Sequence, residues 1–565
     1  GFSAKEGADN LELDAQVRGA LKDLKNEAGY EEYEAVVSAS YAPQINAQIS
    51  ELQKALLEGL IAVLVVGSIV IAIRASIITV LSMFTVIAIT NALLYLFGYS
   101  LNTITLFALI LGLALIVDDT IIMVEALDAQ RKKRKDPKKV VEVATGKVSR
   151  AMIAATSTAA LSFTPLLFVG GILGSFIRAI PVTIITALAM SLLVALVFIP
   201  LFARFLLLGK KQMGEENVHE VAAGIEARIA AFISRPMLWA KHSRKKLTGV
   251  GLTALFIGFG FIGAGGYLFQ KVTFNIFPAS KDANQISVTI NFEPGTTIAT
   301  AQDVSDRADR VVEEVVGDNL VQASYLGTAD ARSAMLNVDL VDYKKRDIKA
   351  PEIVDTLNER FANFEGAQVS VRQVDAGPPA SAFAARVDSS QNRDGAARLA
   401  EDIGTFLTDA KLERPDGSIA EIDKISQPNP SIFSRDDNDP YIEVGASFVD
   451  SDTTTLVTLA QTAVEKEFTK ERVATYGLSD DALTFNFGQE DENQESFATL
   501  AVAFPAVLLV IFILLAFQFK SLLQPLLIFM AIPFSLFGIT LGLYLTENAF
   551  SFFAMLGFFA LIGLS

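Results

Sequence analysis

At 565 residues, with 51% hydrophobic side chains and a mean hydropathy of +0.41, the chain is too apolar for a purely soluble protein and long enough for several domains. Nearly all of its formal net charge of −16 lies in residues 271–490, which argues against nucleic acid or anionic lipid as a partner of that block. There is no cysteine, which excludes disulfides and thiolate metal sites, and the only two histidines, His219 and His242, sit in polar sequence, so a histidine-based metal site or triad has almost nothing to work with.

Gly1 opens directly into polar, domain-like sequence and Ser565 falls inside an apolar run, so the expectation is a piece of a longer chain. Residues 1–54 read as soluble. Leu11, Leu13, Val17, Leu21 and Leu24 recur near helical spacing, predicting a helix over 7–29 with Asn10 as its cap. A strand is predicted over 33–42, then an amphipathic helix from Ile45 to Leu60 that runs into the first apolar span without a breaker.

Nine apolar spans follow, at 55–73, 76–97, 101–126, 151–170, 177–207, 247–268, 496–518, 521–545 and 549–565. Positive charge falls on alternate connections: Arg74, the run from Arg131 to Lys135, Lys138 and Lys139, then Arg204, Lys210 and Lys211, Lys241 and Arg244 to Lys246, and finally Lys520. The positive-inside rule makes these cytoplasmic and places 1–54 and 271–490 on the outer side. Residues 219–246, with Ile225, Ile229 and Phe232 on one face, read as a helix along the membrane surface or a plain linker. Arg178 reads as an interfacial anchor.

The outer block alternates strand and helix. Strands are predicted at 285–292, 335–343 and 367–374, and helices at 301–317 and 351–366. That order suits a ferredoxin-like, split βαβ unit. Beyond Pro378-Pro379 a second copy begins with a strand at 383–390, a helix at 395–410, a strand at 441–450 and a helix at 455–468. The expected fold class is therefore an α-helical polytopic membrane bundle with an extracytoplasmic α+β domain of two such repeats.

The third span, Leu101 to Ala126, carries two adjacent carboxylates, Asp118 and Asp119. Each would cost roughly 2.5–3.5 kcal/mol at a membrane centre, and protonation removes most of that cost. The pair reads as a proton relay or ion site. The other reading puts both acids in headgroup water, against which Ile121 to Val124 continue the apolar run. Glu125 lies on nearly the same face as Asp118, either extending the relay or simply reaching water. An intramembrane aspartyl protease needs facing carboxylates about 3 Å apart, which neighbours on one helix do not supply, so the chain does not read as an enzyme.

The eighth and ninth spans echo the second and third. Leu94-Tyr95-Leu96 matches Leu543-Tyr544-Leu545, and at the same spacing Ala114 falls on Gly563. Such duplication is a common plan of secondary transporters.

Leu101-Asn102-Thr103, Ile116-Val117-Asp118-Asp119 and Val124-Glu125 resemble the fourth transmembrane helix of the resistance-nodulation-division (RND) transporters. Thr164 to Phe168 with Gly170-Gly171, and Ser191 to Leu196 with Pro200, resemble that family's fifth and sixth helices. Leu523-Gln524-Pro525 with Ile532-Pro533 resembles its ninth, and Ala35 to Val63 the approach to its second. The resemblance divides the chain into the end of a first extracytoplasmic porter domain (1–54), helices two to six (55–208), a cytoplasmic interfacial helix (209–246), helix seven (247–270), a second porter domain (271–492) and helices eight to ten (493–565).

It implies a proton-driven exporter of hydrophobic or amphiphilic compounds in the inner membrane. Asp118 and Asp119 would relay protons, which serve as the coupling ion with no other cofactor. A homotrimer and a periplasmic adaptor are the implied partners. A lysine on the tenth helix pairs with the acids in many members, and asparagines stand there in others. Thr120 and Ala126 depart from the multidrug pattern, and the segment 411–440 is short for the hairpin that reaches an outer-membrane channel. The alternative is a lipid- or protein-export component, or a sterol-sensing receptor, on the same superfold.

Overall fold

The computed structural model describes residues 9–27, 30, 40, 42–70, 73–134, 136–208, 220–241, 243–275, 281–293, 295–327, 332–374, 383–414, 417–420, 422–426, 434–436, 439–448, 453–487 and 489–564. The expected strand over 33–42 and the Pro378-Pro379 boundary fall almost wholly outside them. The protein is mostly helical with small antiparallel sheets. It divides into two units, residues 1–47 with 277–380 and residues 48–276 with 381–565, so the two α/β blocks belong to different units.

In the first unit, α1 (Asn10–Lys25) starts one residue earlier than its expected cap implied. Asp9 takes that role, its carboxylate accepting from the Leu11 and Glu12 amides, and Asn10 is the first helical residue. The α/β block runs β1 (Gln285–Phe292), α11 (Ile298–Val316), β2 (Leu320–Gly327), β3 (Ser333–Leu340), α12 (Ala350–Phe361) and β4 (Ala367–Gln373). All pairs are antiparallel in the order β2-β3-β1-β4. Alternation in β1 sends Ile286, Val288 and Ile290 to one face, where they meet Val304, Ala308 and Val312 of α11 and Ile353 and Leu357 of α12 in a single core. The sequence reading omitted β2, the hairpin partner of β3.

The second unit holds the apolar helices. They are α2 (Ala42–Val70, which begins in the first unit), α3 (Ile73–Leu96), α4 (Thr103–Arg131), α5 (Pro137–Phe163), α6 (Gly171–Ile177), α7 (Ala179–Leu193), α8 (Ile199–Leu206), α9 (Glu220–Ala240) and α10 (Arg244–Phe269). Its α/β block comprises β5 (Phe383–Asp388), α13 (Arg393–Asp409), the two-residue strands β6 (Leu412–Glu413) and β7 (Ile419–Ala420), β8 (Ile422–Ser426), β9 (Ser434–Asp436), β10 (Asp439–Phe448), α14 (Thr453–Glu467), α15 (Lys470–Ala474) and β11 (Leu483–Phe485). The main sheet is ordered β11-β5-β10-β8, the same pattern as in the first block once strands are numbered within each. The last helices are α16 (Gln489–Phe519), α17 (Leu523–Phe529), α18 (Ala531–Leu545) and α19 (Phe552–Leu564).

Among the described residues, eight helices are long and apolar enough to cross a membrane, and α19 is a shorter apolar helix at the ninth expected span. Helix α2 passes from polar into apolar sequence without interruption, as expected. Bulky apolar side chains such as Phe256 and Phe517 point outward, as a lipid-facing surface requires. Pro200 sits at the start of α8, and the turn before it, Val194–Phe198, widens to a π-helix. Pro200 has no N–H, which leaves the Leu196 carbonyl without its usual donor.

The internal repeat extends to individual hydrogen bonds. After α3, the Tyr99 amide donates to the Leu94 carbonyl at 2.9 Å and Gly98 has φ 81°. After α18, the Asn548 amide donates to the Leu543 carbonyl at 3.0 Å, and Glu547 takes the same left-handed position with φ 52°. Glycine fits that conformation freely, whereas a side chain there costs roughly 1–2 kcal/mol. Glu547→Gly should therefore stabilise the full-length protein by about 1 kcal/mol and Gly98→Ala destabilise it by a similar amount, read from thermal unfolding in detergent. Destabilisation by Glu547→Gly would contradict this account of the turn.

Candidate functional site

Helix α4 is the centre of its bundle. Asn102 caps its start: the side-chain oxygen accepts from the Ile104 and Thr105 amides, both at 3.0 Å, and the Thr105 hydroxyl accepts from the Asn102 amide at 2.8 Å. This reciprocal box fixes where the helix begins and hence the depth of everything along it. One side packs with α3 and α7 through Met83, Val86, Ile116 and Ala187. Further along, Met123, Val124 and Leu127 join Ala144 and Met152 of α5 and Ala195 and Ile199.

The structure gives the two sequence-predicted acids different surroundings. Asp119 is only 5% exposed. The Thr156 hydroxyl of α5 lies 2.9 Å from its Oδ1 and 3.2 Å from its Oδ2. Ser191 of α7 donates to the Ile116 carbonyl at 3.3 Å, tying α7 to α4. Asp118 is exposed, and among the described residues no hydrogen bond or ion pair reaches it. With Ala114, Ile122, Glu125 and Ala129 it forms a stripe that the neighbouring helices leave uncovered.

Thr156 is not among the sequence-predicted site residues, and Ser191 enters there only as the start of the motif that resembles the sixth helix. They are two hydroxyls among many in the apolar spans, and only tertiary contact distinguishes them. Thr120, noted as a departure, turns back on its own helix, donating to the Val117 carbonyl at 2.8 Å. At the far end of α4, Asp128 accepts from Arg131 at 2.6 Å and lies 2.9 Å from the Lys132 ammonium, so part of the basic run is held against the helix. Among the described residues no cluster of acids and histidines has metal-binding geometry.

Helix α5 also meets α19. Gly563 lies against Ala159 and Ser162 so closely that a Cβ there would come within 2.8 Å of the Ala159 backbone. Phe107 of α4 meets Phe553 of α19 edge to face, with ring centroids 5.4 Å apart.

A buried acid in a membrane-length helix, inside a duplicated bundle, belongs to transport proteins more than to any other class. The sequence profile of the AcrB/AcrD/AcrF family matches residues 2–413 and 414–565, essentially the whole chain. The chain belongs to the RND transporters. RND relatives include the toluene efflux pump membrane transporter TtgE of Pseudomonas putida, 25% identical over 65% of this chain and 36% of its own length. The multidrug export protein AcrF of Escherichia coli is 33% identical over 29% of this chain and 16% of its own. An uncharacterized transporter of Haemophilus influenzae is 23% identical over 91% of this chain and 56% of its own. The chain thus spans at most little more than half of these RND relatives. Membership makes this a multi-pass membrane protein of an efflux-transporter family rather than an enzyme.

Because Asn102 holds the first turn of α4, Asn102→Ala should lower the stability of the full-length RND protein by about 1 kcal/mol. Thermal unfolding in detergent, with Asn102→Asp as the conservative control, checks this: the control should lose little.

Proposed function

We propose that the full-length protein is a proton-motive-force-driven exporter of hydrophobic or amphiphilic compounds, and that Asp118 and Asp119 relay the protons. The observation that carries this reading is Asp119, a buried carboxylate in an apolar bundle, held by the Thr156 hydroxyl and bound to no cation among the described residues. A carboxylate in such a place is stable neutral, or charged only with help from donors, so it is suited to take and give one proton. Asp118, on the uncovered stripe, is the member of the pair with room to exchange protons with water or with a further helix. The relatives, a toluene efflux pump and a multidrug export protein, favour apolar and amphiphilic cargo.

In this reading the sheets of residues 271–492 are ferredoxin-like porter repeats, supported by their shared strand order. They lie outside an inner membrane crossed by the apolar helices, supported by the alternation of basic connections. Residues 1–54 close a first porter domain, 55–208, 247–270 and 493–565 are membrane helices, and 209–246 is the cytoplasmic connection. A homotrimer with a periplasmic adaptor is the assembly that the family favours. The segment 411–440 is short for the hairpin that reaches an outer-membrane channel.

The connection includes α9, which exposes Phe232, Ile233, Met237, Leu238 and Trp239, with the Lys246 ammonium 4.4 Å from the Trp239 ring centre. An aromatic beside a basic side chain suits a headgroup layer. Brominated lipid should quench part of the tryptophan emission of the full-length protein, and that part should vanish in Trp239→Phe. Equal quenching in both would place α9 away from the bilayer.

The main test is export by the full-length protein in membrane vesicles against a panel of dyes, detergents and lipids. Asp118→Asn and Asp119→Asn should each abolish proton-gradient-dependent export while assembly persists, and an uncoupler should mimic them in the wild type. Full export in either mutant would remove that acid from the relay and bring forward a receptor or accessory role.

A further inference from the structure

The Thr156 hydroxyl has three acceptors within reach but one proton to give. Its Oγ1 is 2.9 Å from Asp119 Oδ1, 3.2 Å from Asp119 Oδ2 and 2.9 Å from the Met152 carbonyl one turn back on α5. Thr156 is 6% exposed and Met152 1%, so water is not at hand to satisfy any of these atoms. The neighbouring hydroxyl, Ser191, directs its proton at the Ile116 carbonyl.

From this geometry we infer that Thr156 is a positioning residue that swaps hydrogen-bond roles with the protonation of Asp119. When the carboxylate is charged, the hydroxyl donates to it, shared between the two oxygens. When the carboxyl is neutral, its own O–H donates to Oγ1, and the threonine proton turns to the Met152 carbonyl. A hydroxyl can do this because its one donor and its two acceptor lone pairs sit on a single rotatable oxygen, whereas a methyl group has neither. Each protonation state keeps the Thr156 hydroxyl hydrogen-bonded to Asp119, so α4 and α5 stay joined in both. Without the hydroxyl, one state leaves a buried charge short of a donor and the other leaves an acid proton without an acceptor.

Few charges compete for this carboxylate. Asp118 is adjacent on α4, α7 carries no charged residue, α3 has only Arg74 at its start and α8 only Arg204. Helix α5 keeps its charged side chains to the stretch Lys138–Arg150, and α19 has none.

The inference rests on the relay reading above, and the test separates the two. The full-length protein, reconstituted in liposomes, is compared as wild type, Thr156→Val, Thr156→Ser and Asp119→Asn. The first readout is the infrared difference spectrum between acid and alkaline pH. The C=O band of the neutral carboxyl of Asp119 is identified by its loss in Asp119→Asn. In Thr156→Val that band should move to higher frequency, because the acid loses its acceptor, and in Thr156→Ser it should stay.

The second readout is gradient-driven efflux of ethidium. It should fall about tenfold in Thr156→Val, the size expected for losing a hydrogen bond to a charged group, and recover in Thr156→Ser. Valine matches threonine in shape, and an unchanged thermal midpoint would show that the bundle still forms. An unshifted band in Thr156→Val would overturn the role swap, as would a serine variant that behaves like the valine one. If Thr156→Val exports normally while Asp119→Asn does not, the relay stands and the role of Thr156 falls. If Asp119→Asn itself exports normally, the relay falls first.

Discussion

Burying a carboxylate where a membrane must be crossed is the constraint from which the other features of this bundle follow. An acid such as Asp119 is tolerated only if helices on more than one side bring it polar partners and hold them still. Helix α5 supplies the Thr156 hydroxyl within hydrogen-bonding reach of the acid, and Ser191 ties α7 to the same helix through the Ile116 carbonyl. The remaining contacts of α4 are apolar and tight: Met83, Ile116, Met123 and Leu127 are all essentially inaccessible. Cap, core and hydroxyls together fix one side chain to a depth and a direction. A relay requires this, since a proton passes only between groups at hydrogen-bonding distance.

The acid pair was legible in the sequence because charge inside an apolar run is conspicuous without any knowledge of the fold. Thr156 was not, since threonine and serine are common in such spans, where they bond harmlessly to their own helix, as Thr79 and Thr85 do here. Which hydroxyl faces a neighbouring helix depends on the rotation and depth of two segments, and periodicity fixes neither. The different exposure of Asp118 and Asp119 was visible only as a difference in angle around α4, because the identity of the covering helices is a tertiary fact.

In the α/β blocks, long alternating strands and amphipathic helices were read correctly, and weakly patterned strands were missed. Strand β2, Leu-Val-Gln-Ala-Ser-Tyr-Leu-Gly, does not alternate, and β8 and β11 are only five and three residues long. Their place in the sheet comes from pairing with β3, β10 and β5, which outweighs their local preference. At the start of α1, two good capping residues stand side by side, and the register of the first turn decides for Asp9.

The duplicated turn serves as a ruler between the copies. Laid along the helices that follow, it sets Asn102 opposite Ser551, and each accepts a backbone amide near the start of its helix. It also sets Ala114 opposite Gly563. One of these lies on the open stripe of α4 that carries Asp118, while the other is pressed against Ala159. Equal backbones have thus been given unequal neighbours. Helix α5 touches both copies of the repeated helix, and its hydroxyl at Thr156 meets the first.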